Sequence, residues 1–200
     1  MPDSSSQAAP VIVVSGLPRS GTSLMMNMLQ AGGIPIVTDE QRTADDDNPK
    51  GYFELERVKQ LSKGDVAWVD GAHGKAVKVI SALLEHLPPS SSYKILFMHR
   101  RLPEVLASQK KMLERRGEPM DAIPDEKMAD LFERHLQKIE GWLAAQPNMS
   151  VLYVPYHELA ERPAPQIEQI VPFLGVDLDV PKMLAAVDPA LYRNRVGSRQ

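Results

Sequence analysis

Apolar residues along this chain fall into short continuous runs that alternate with longer stretches at helical spacing. Val11-Ile12-Val13-Val14 is continuous and β-branched, the pattern of a strand covered on both faces; Tyr93 to Met98 predicts a largely apolar strand, and Ser150 to Val154 one more. Ala76 to Ile80 predicts a further strand, interrupted by Lys78, and Ile34-Pro35-Ile36-Val37 a short one that Pro35 confines to an edge or a strand start. Between them, Leu24, Met25, Met28 and Leu29 line one helical face that stops at Gly32-Gly33. Pro103 starts a helix over 104–116, closed by Gly117, with Val105, Leu106, Met112 and Leu113 on its apolar side. Asp125 caps a longer helix whose face is Met128, Leu131, Phe132, Leu136, Ile139, Trp142 and Leu143; His135 lies close to that face as a packing residue. Ile167, Ile170, Val171 and Phe173 mark a helix over 164–174, stopped by Gly175. Shorter helical stretches fall at 53–62 and 83–87, while 65–74, which carries Trp68 and His73, fits neither period. The alternation predicts the α/β class: a single three-layer domain with a central parallel sheet of about five strands flanked by helices.

The rest of the composition narrows the function. Two hundred residues can close one core, placed at 11–200, and the polar start with three consecutive serines predicts a disordered tail over 1–10. A formal charge of -3 supplies no general basic field, which disfavours nucleic acid as a partner and leaves anion binding to local cations. Cysteine is absent, and neither a membrane-length apolar run nor a secretion signal is present, so the expectation is a soluble cytoplasmic protein. Oligomeric state leaves no trace in the sequence. Asp45-Asp46-Asp47 reads as a solvated loop, and no metal site is predicted.

The chemistry is concentrated where the first strand gives way to the first helix. Gly16-Leu17-Pro18-Arg19-Ser20-Gly21-Thr22-Ser23 is a glycine turn feeding a helix N-terminus, whose unpaired amides and partial positive charge attract a phosphate. Gly16 and Gly21 allow close backbone approach, and Ser20, Thr22 and Ser23 add hydroxyls. The spacing is that of the P-loop, but Thr22 stands where the P-loop lysine would reach the β- and γ-phosphates. Arg19 is the local cation instead, so the loop suits a differently disposed anion. A second basic site, His99-Arg100-Arg101, closes the strand at 93–98 and precedes a helix.

These stretches resemble the sulfotransferases that use 3′-phosphoadenosine 5′-phosphosulfate, PAPS. The segment from Gly16 to Ser23, Pro18 included, is similar to that family's 5′-phosphosulfate loop, and Arg100-Arg101-Leu102-Pro103-Glu104-Val105-Leu106-Ala107-Ser108 to its 3′-phosphate motif. Tyr153-Val154-Pro155-Tyr156-His157-Glu158 resembles the segment whose tyrosine lies near the adenine. The resemblance implies a P-loop-like fold, sulfuryl transfer from PAPS to a hydroxyl or amine with adenosine 3′,5′-bisphosphate as product, and cofactor contacts from Gly16 to Ser23, Arg100, Ser108 and Tyr156. It also implies that Arg19 steadies the leaving oxygen and that Lys78 lies near the sulfate. A donor of that kind is worth on the order of 100- to 1000-fold in rate.

The base that deprotonates the acceptor is not fixed by the motifs. Cytosolic relatives carry a histidine after their third-strand lysine, but Lys78 is followed by Val79 and Ile80. Tyrosylprotein sulfotransferases place a glutamate at the interval separating Arg19 from Glu40. Glu54, after the turn Asn48-Pro49-Lys50-Gly51, is a second candidate, and His73 a weaker third. A glycan, lipid, phenol or peptide acceptor is equally compatible with the chain. Two other functions fit the loop alone: a P-loop kinase of small molecules and a nucleotide-binding protein without catalysis. Against the kinase stand Thr22 and the basic end of the strand at 93–98, where a magnesium-binding aspartate belongs.

Overall fold

Val11–Gly16 is buried at every residue and forms β1, the strand around which the sheet is built. The computed structural model describes residues 8–39, 51–117 and 123–192. Glu40, the Asp45-Asp46-Asp47 triplet and the arginines at 193, 195 and 199 lie outside the described residues.

Three strands join β1 in parallel: β2 (Ala76–Lys78), β3 (Tyr93–His99) and β4 (Met149–Pro155), in the order β2-β1-β3-β4. Among the described residues the sheet therefore has four strands, not about five. Ile34 to Val37 makes one parallel bridge, Ile36 to Ala76, with Val37 N donating to Ala76 O at 2.8 Å. Pro35, lacking an N–H, cannot extend that pairing into a ladder at the outer edge of β2. β2 itself ends at Lys78 rather than Ile80.

Alternate residues of β1 feed two cores. Ile12 and Val14 pack with Met25, Met28 and Leu29 of α1 (Thr22–Ala31), Tyr156 and Leu159 of α4 (Tyr156–Glu161), and Ile167 and Ile170 of α5 (Pro163–Leu174). Val11 and Val13 face the other way, against Ile139 and Leu143 of α3 (Asp125–Ala144) and Trp68, Val69 and Ala72. The methionines of α1 are fully buried core, as their spacing predicts. α2 (Leu102–Arg116) leads from β3 towards α3, and α6 (Val180–Ala186) packs on α1. The result is the expected three-layer α/β domain.

The stretch at 65–74 that fitted no period contains a 3₁₀ helix, Ala67–Ala72, with Trp68 Nε1 donating to Asp65 O at 3.1 Å. Its neighbour at 56–63 is also 3₁₀ rather than α-helical. His135 serves packing: Ser81 Oγ and His135 Nε2 lie 2.9 Å apart, joining the 3₁₀ turn after β2 to α3. Burial, with the nearby Lys138, holds this imidazole below its ordinary pKa, and Glu85 opposes the shift. Among the described residues no helix is long and apolar enough to cross a membrane.

Candidate active site

β2 lies on one side of β1 and β3 on the other, so chain direction across the sheet reverses between β1 and β3. Crevices at such points, outside the carboxyl ends of parallel strands, receive ligands in α/β folds. Here the crevice lies between the Gly16-to-Ser23 loop after β1 and Arg100 after β3; Gly16 pairs in register with Met98.

The loop is shaped by two glycines. Gly16 has φ 143°, and a β-carbon there would come within 2.5 Å of Ser20 Oγ and 2.7 Å of Met98 O. Gly21, at φ 101°, would place a β-carbon 2.2 Å from Cδ2 of Tyr156. Gly21 is also the N-cap of α1 and supplies no side-chain cap. The first-turn amides are thus left for another acceptor. Ser20 is buried, and among the described residues its hydroxyl has no hydrogen-bond partner. Pro18 is exposed at the loop's crest, and Thr22 and Ser23 begin the helix half-buried.

Arg19 adopts a left-handed backbone at φ 69°, a conformation that costs a non-glycine residue about 1–2 kcal/mol. Its contacts across the crevice hold it. Arg100 donates from a terminal guanidinium nitrogen to Arg19 O at 3.1 Å, and Arg19 Nε donates to Ser108 Oγ at 3.0 Å. The glycine loop and the arginine-serine segment, far apart in sequence, therefore form one wall of the crevice. Tyr156 is its floor: the buried ring touches Gly21, and the Arg100 guanidinium carbon stands 4.5 Å from its centroid.

Arg100 is itself buried and paired with Glu104 one helical turn later, Nε to Oε2 at 3.1 Å, with side-chain exposures of 7% and 1%. Tyr192 donates its hydroxyl to Glu104 Oε1 at 2.7 Å. Burial first, then the bond to Glu104, pushes this phenol up to about 12, so it remains a neutral donor near neutral pH.

A second cluster stands across β1. Lys78 pairs in register with Val14, two residues before Gly16, and its ammonium donates to Tyr52 O and lies 3.4 Å from Glu54 Oε1. Glu54 O accepts from Thr38 Oγ1 at 2.8 Å and from Asp39 N at 3.2 Å, tying its loop to the segment after the β2 edge. Asp39 is occupied structurally, its Oδ2 taking Glu56 N at 2.6 Å. His73 is elsewhere: its Nδ1 lies 2.7 Å from Ala9 O, ahead of β1 and β2 and thus at the opposite end of the sheet. That position removes it from the candidate bases.

Sequence reasoning did not find Tyr192, which matches no motif, nor the pairing role of Glu104. For Glu104 a signal existed, because an acid four residues after an arginine at a helix start faces it.

Fold and crevice together define an α/β domain that sets a glycine loop and basic side chains at the carboxyl ends of its parallel strands. The chain belongs to the sulfotransferase domain family, whose profile matches residues 9–192. No curated protein sequence matches it. Similar solved structures include sulfotransferase STF1 from Mycobacterium tuberculosis, with a TM-score of 0.56 and 16% identity over 93% of this chain and 73% of that one. The sulfotransferase domain of the Synechococcus olefin synthase gives 0.54 and 16%, over 97% and 90%. Mouse sulfotransferase SULT7A1, complexed with PAP, gives 0.52 and 16%, over 91% and 64%. At such identities the likeness is one of fold.

Proposed function

We propose that this chain transfers a sulfuryl group from PAPS to a hydroxyl or amine of an acceptor. The observation that carries the reading is the joined wall: Arg19 bonded to Ser108, and Arg100 bonded to the Arg19 carbonyl. It sets a glycine loop and a buried arginine beside one aromatic floor, an arrangement suited to a nucleotide carrying anionic groups on both its 5′ and 3′ sides. ATP would need the loop alone. A fold neighbour complexed with PAP supports the same ligand class.

In this reading the loop amides, Ser20, Thr22 and Ser23 bind the 5′ side, Arg100 and Ser108 the 3′-phosphate, and Tyr156 supports the base end. The co-substrate supplies the sulfuryl group: its sulfur forms a bond to the acceptor oxygen or nitrogen, and the sulfur–oxygen bond to the 5′-phosphate breaks. Arg19 turns from Ser108 towards the leaving oxygen, where charge grows in the transition state. Lys78 orients Glu54, which takes the acceptor proton.

Incubating the protein with sulfur-labelled PAPS, or with γ-labelled ATP and magnesium, against one panel of sugars, lipids, phenols, amines and peptides tests the reading. Label is expected to leave PAPS for an acceptor; transfer from ATP instead would establish the kinase.

A further inference from the structure

Glu104 is a buried carboxylate between two cations and a phenol. Arg100 Nε donates to one oxygen at 3.1 Å; Tyr192 donates to the other at 2.7 Å, and an Arg101 terminal nitrogen stands 3.8 Å from it. Tyr192 is 4% exposed although it comes late in the chain, 88 positions from Glu104. Its ring meets Tyr156 edge-on at 5.2 Å, and the Arg100 guanidinium carbon lies 5.6 Å from its centroid. The 3₁₀ turn Pro189–Leu191 delivers it, Asp188 Oδ1 accepting from Ala190 N at 2.9 Å and Tyr192 N donating to Pro189 O at 3.2 Å.

These contacts have opposite effects on anion binding at Arg100. A naked carboxylate against the guanidinium would compete with a phosphate for it and draw it towards the helix. A phenol donor on the far oxygen takes up part of the carboxylate's charge and fixes its plane, while Tyr156 fixes the plane of the guanidinium. Arg100 is then held in one orientation with its charge less fully cancelled.

We infer that Tyr192 is a positioning residue for recognition of a 3′-phosphate, acting through Glu104 on Arg100. This rests on the reading of Arg100 as the 3′-phosphate ligand. Loss of a hydrogen bond to a charged group of this kind corresponds to about a tenfold change in binding.

Calorimetry on the full chain with adenosine 3′,5′-bisphosphate and adenosine 5′-monophosphate tests it. Tyr192→Phe is expected to weaken the bisphosphate about tenfold and leave the monophosphate within about twofold, with a melting curve showing a folded protein. Equal losses for both ligands would mean a merely structural tyrosine and overturn the proposal, as would no loss. The same substitution in an Arg100→Lys background is expected to add no further selectivity loss; a full tenfold addition there would place its action elsewhere and also overturn it. A wild-type protein that binds the two ligands equally would sink the reading of Arg100 itself, and this inference with it. Wild-type preference that survives intact in Tyr192→Phe sinks this inference alone.

Discussion

Arg100→Ala is expected to lower affinity for adenosine 3′,5′-bisphosphate on the order of 100-fold, while adenosine 5′-monophosphate loses far less. Truncating one partner of a desolvated charge contact costs roughly 2–5 kcal/mol, and about 1.4 kcal/mol is a factor of ten. Arg100 meets that condition, buried against Glu104 and stacked on Tyr156. The substitution also removes the guanidinium paired with the buried Glu104 carboxylate, and breaking a buried pair destabilises a fold by about 3–5 kcal/mol. Arg100→Lys separates the two effects: it keeps a cation beside Glu104 but loses the planar fork, so it should fold and still lose most of the 3′ selectivity. Isothermal titration with both nucleotides reads the result. Equal weakening of the two would remove Arg100 from the 3′-phosphate.

The second large effect concerns the base. Glu54→Gln retains the shape and the contact to Lys78 but cannot take a proton, so turnover should fall by about 100- to 10,000-fold while bisphosphate affinity stays unchanged. The reason to favour Glu54 is its setting, beside Lys78 one strand away from the glycine loop and fixed at its carbonyl by Thr38 and Asp39. Initial rates of label transfer, with an acceptor found in the donor assay, give the measurement. Unchanged turnover would pass the role to Glu40.

Much of this architecture is legible in the chain because burial on both faces leaves an unmistakable record. Val11 to Val14 reads as a strand buried on both faces and is one, and the largely apolar Tyr93 to Met98 is the strand beside it. Ile34 to Val37 read as a strand too, but strand formation there depends on whether a neighbour can complete the ladder, and Pro35 stops it at one bridge. Short 3₁₀ segments such as Ala67–Ala72 have no period long enough to show.

At the site, a similar division holds. The glycine loop is local, so residues 16–23 declare their chemistry in order. The bonds from Arg19 to Ser108 and from Tyr192 to Glu104 link residues 89 and 88 positions apart, and no local pattern encodes such a meeting. Two segments that sequence spacing sets apart thus become one wall. His73 shows the converse: it sits between Gly71 and Gly74 in a stretch without a period, where nothing local says which end of the sheet it faces, and strand order sends it to the amino end.

The central claim is that the missing P-loop lysine and the buried Arg100 turn a triphosphate loop into a site for a nucleotide with separate 5′ and 3′ anions. Calorimetric titration of the wild-type protein with adenosine 3′,5′-bisphosphate and with ATP, each with and without magnesium, tests it most directly. Much tighter binding of the bisphosphate, indifferent to magnesium, is the predicted result; tighter binding of ATP that requires magnesium would contradict it.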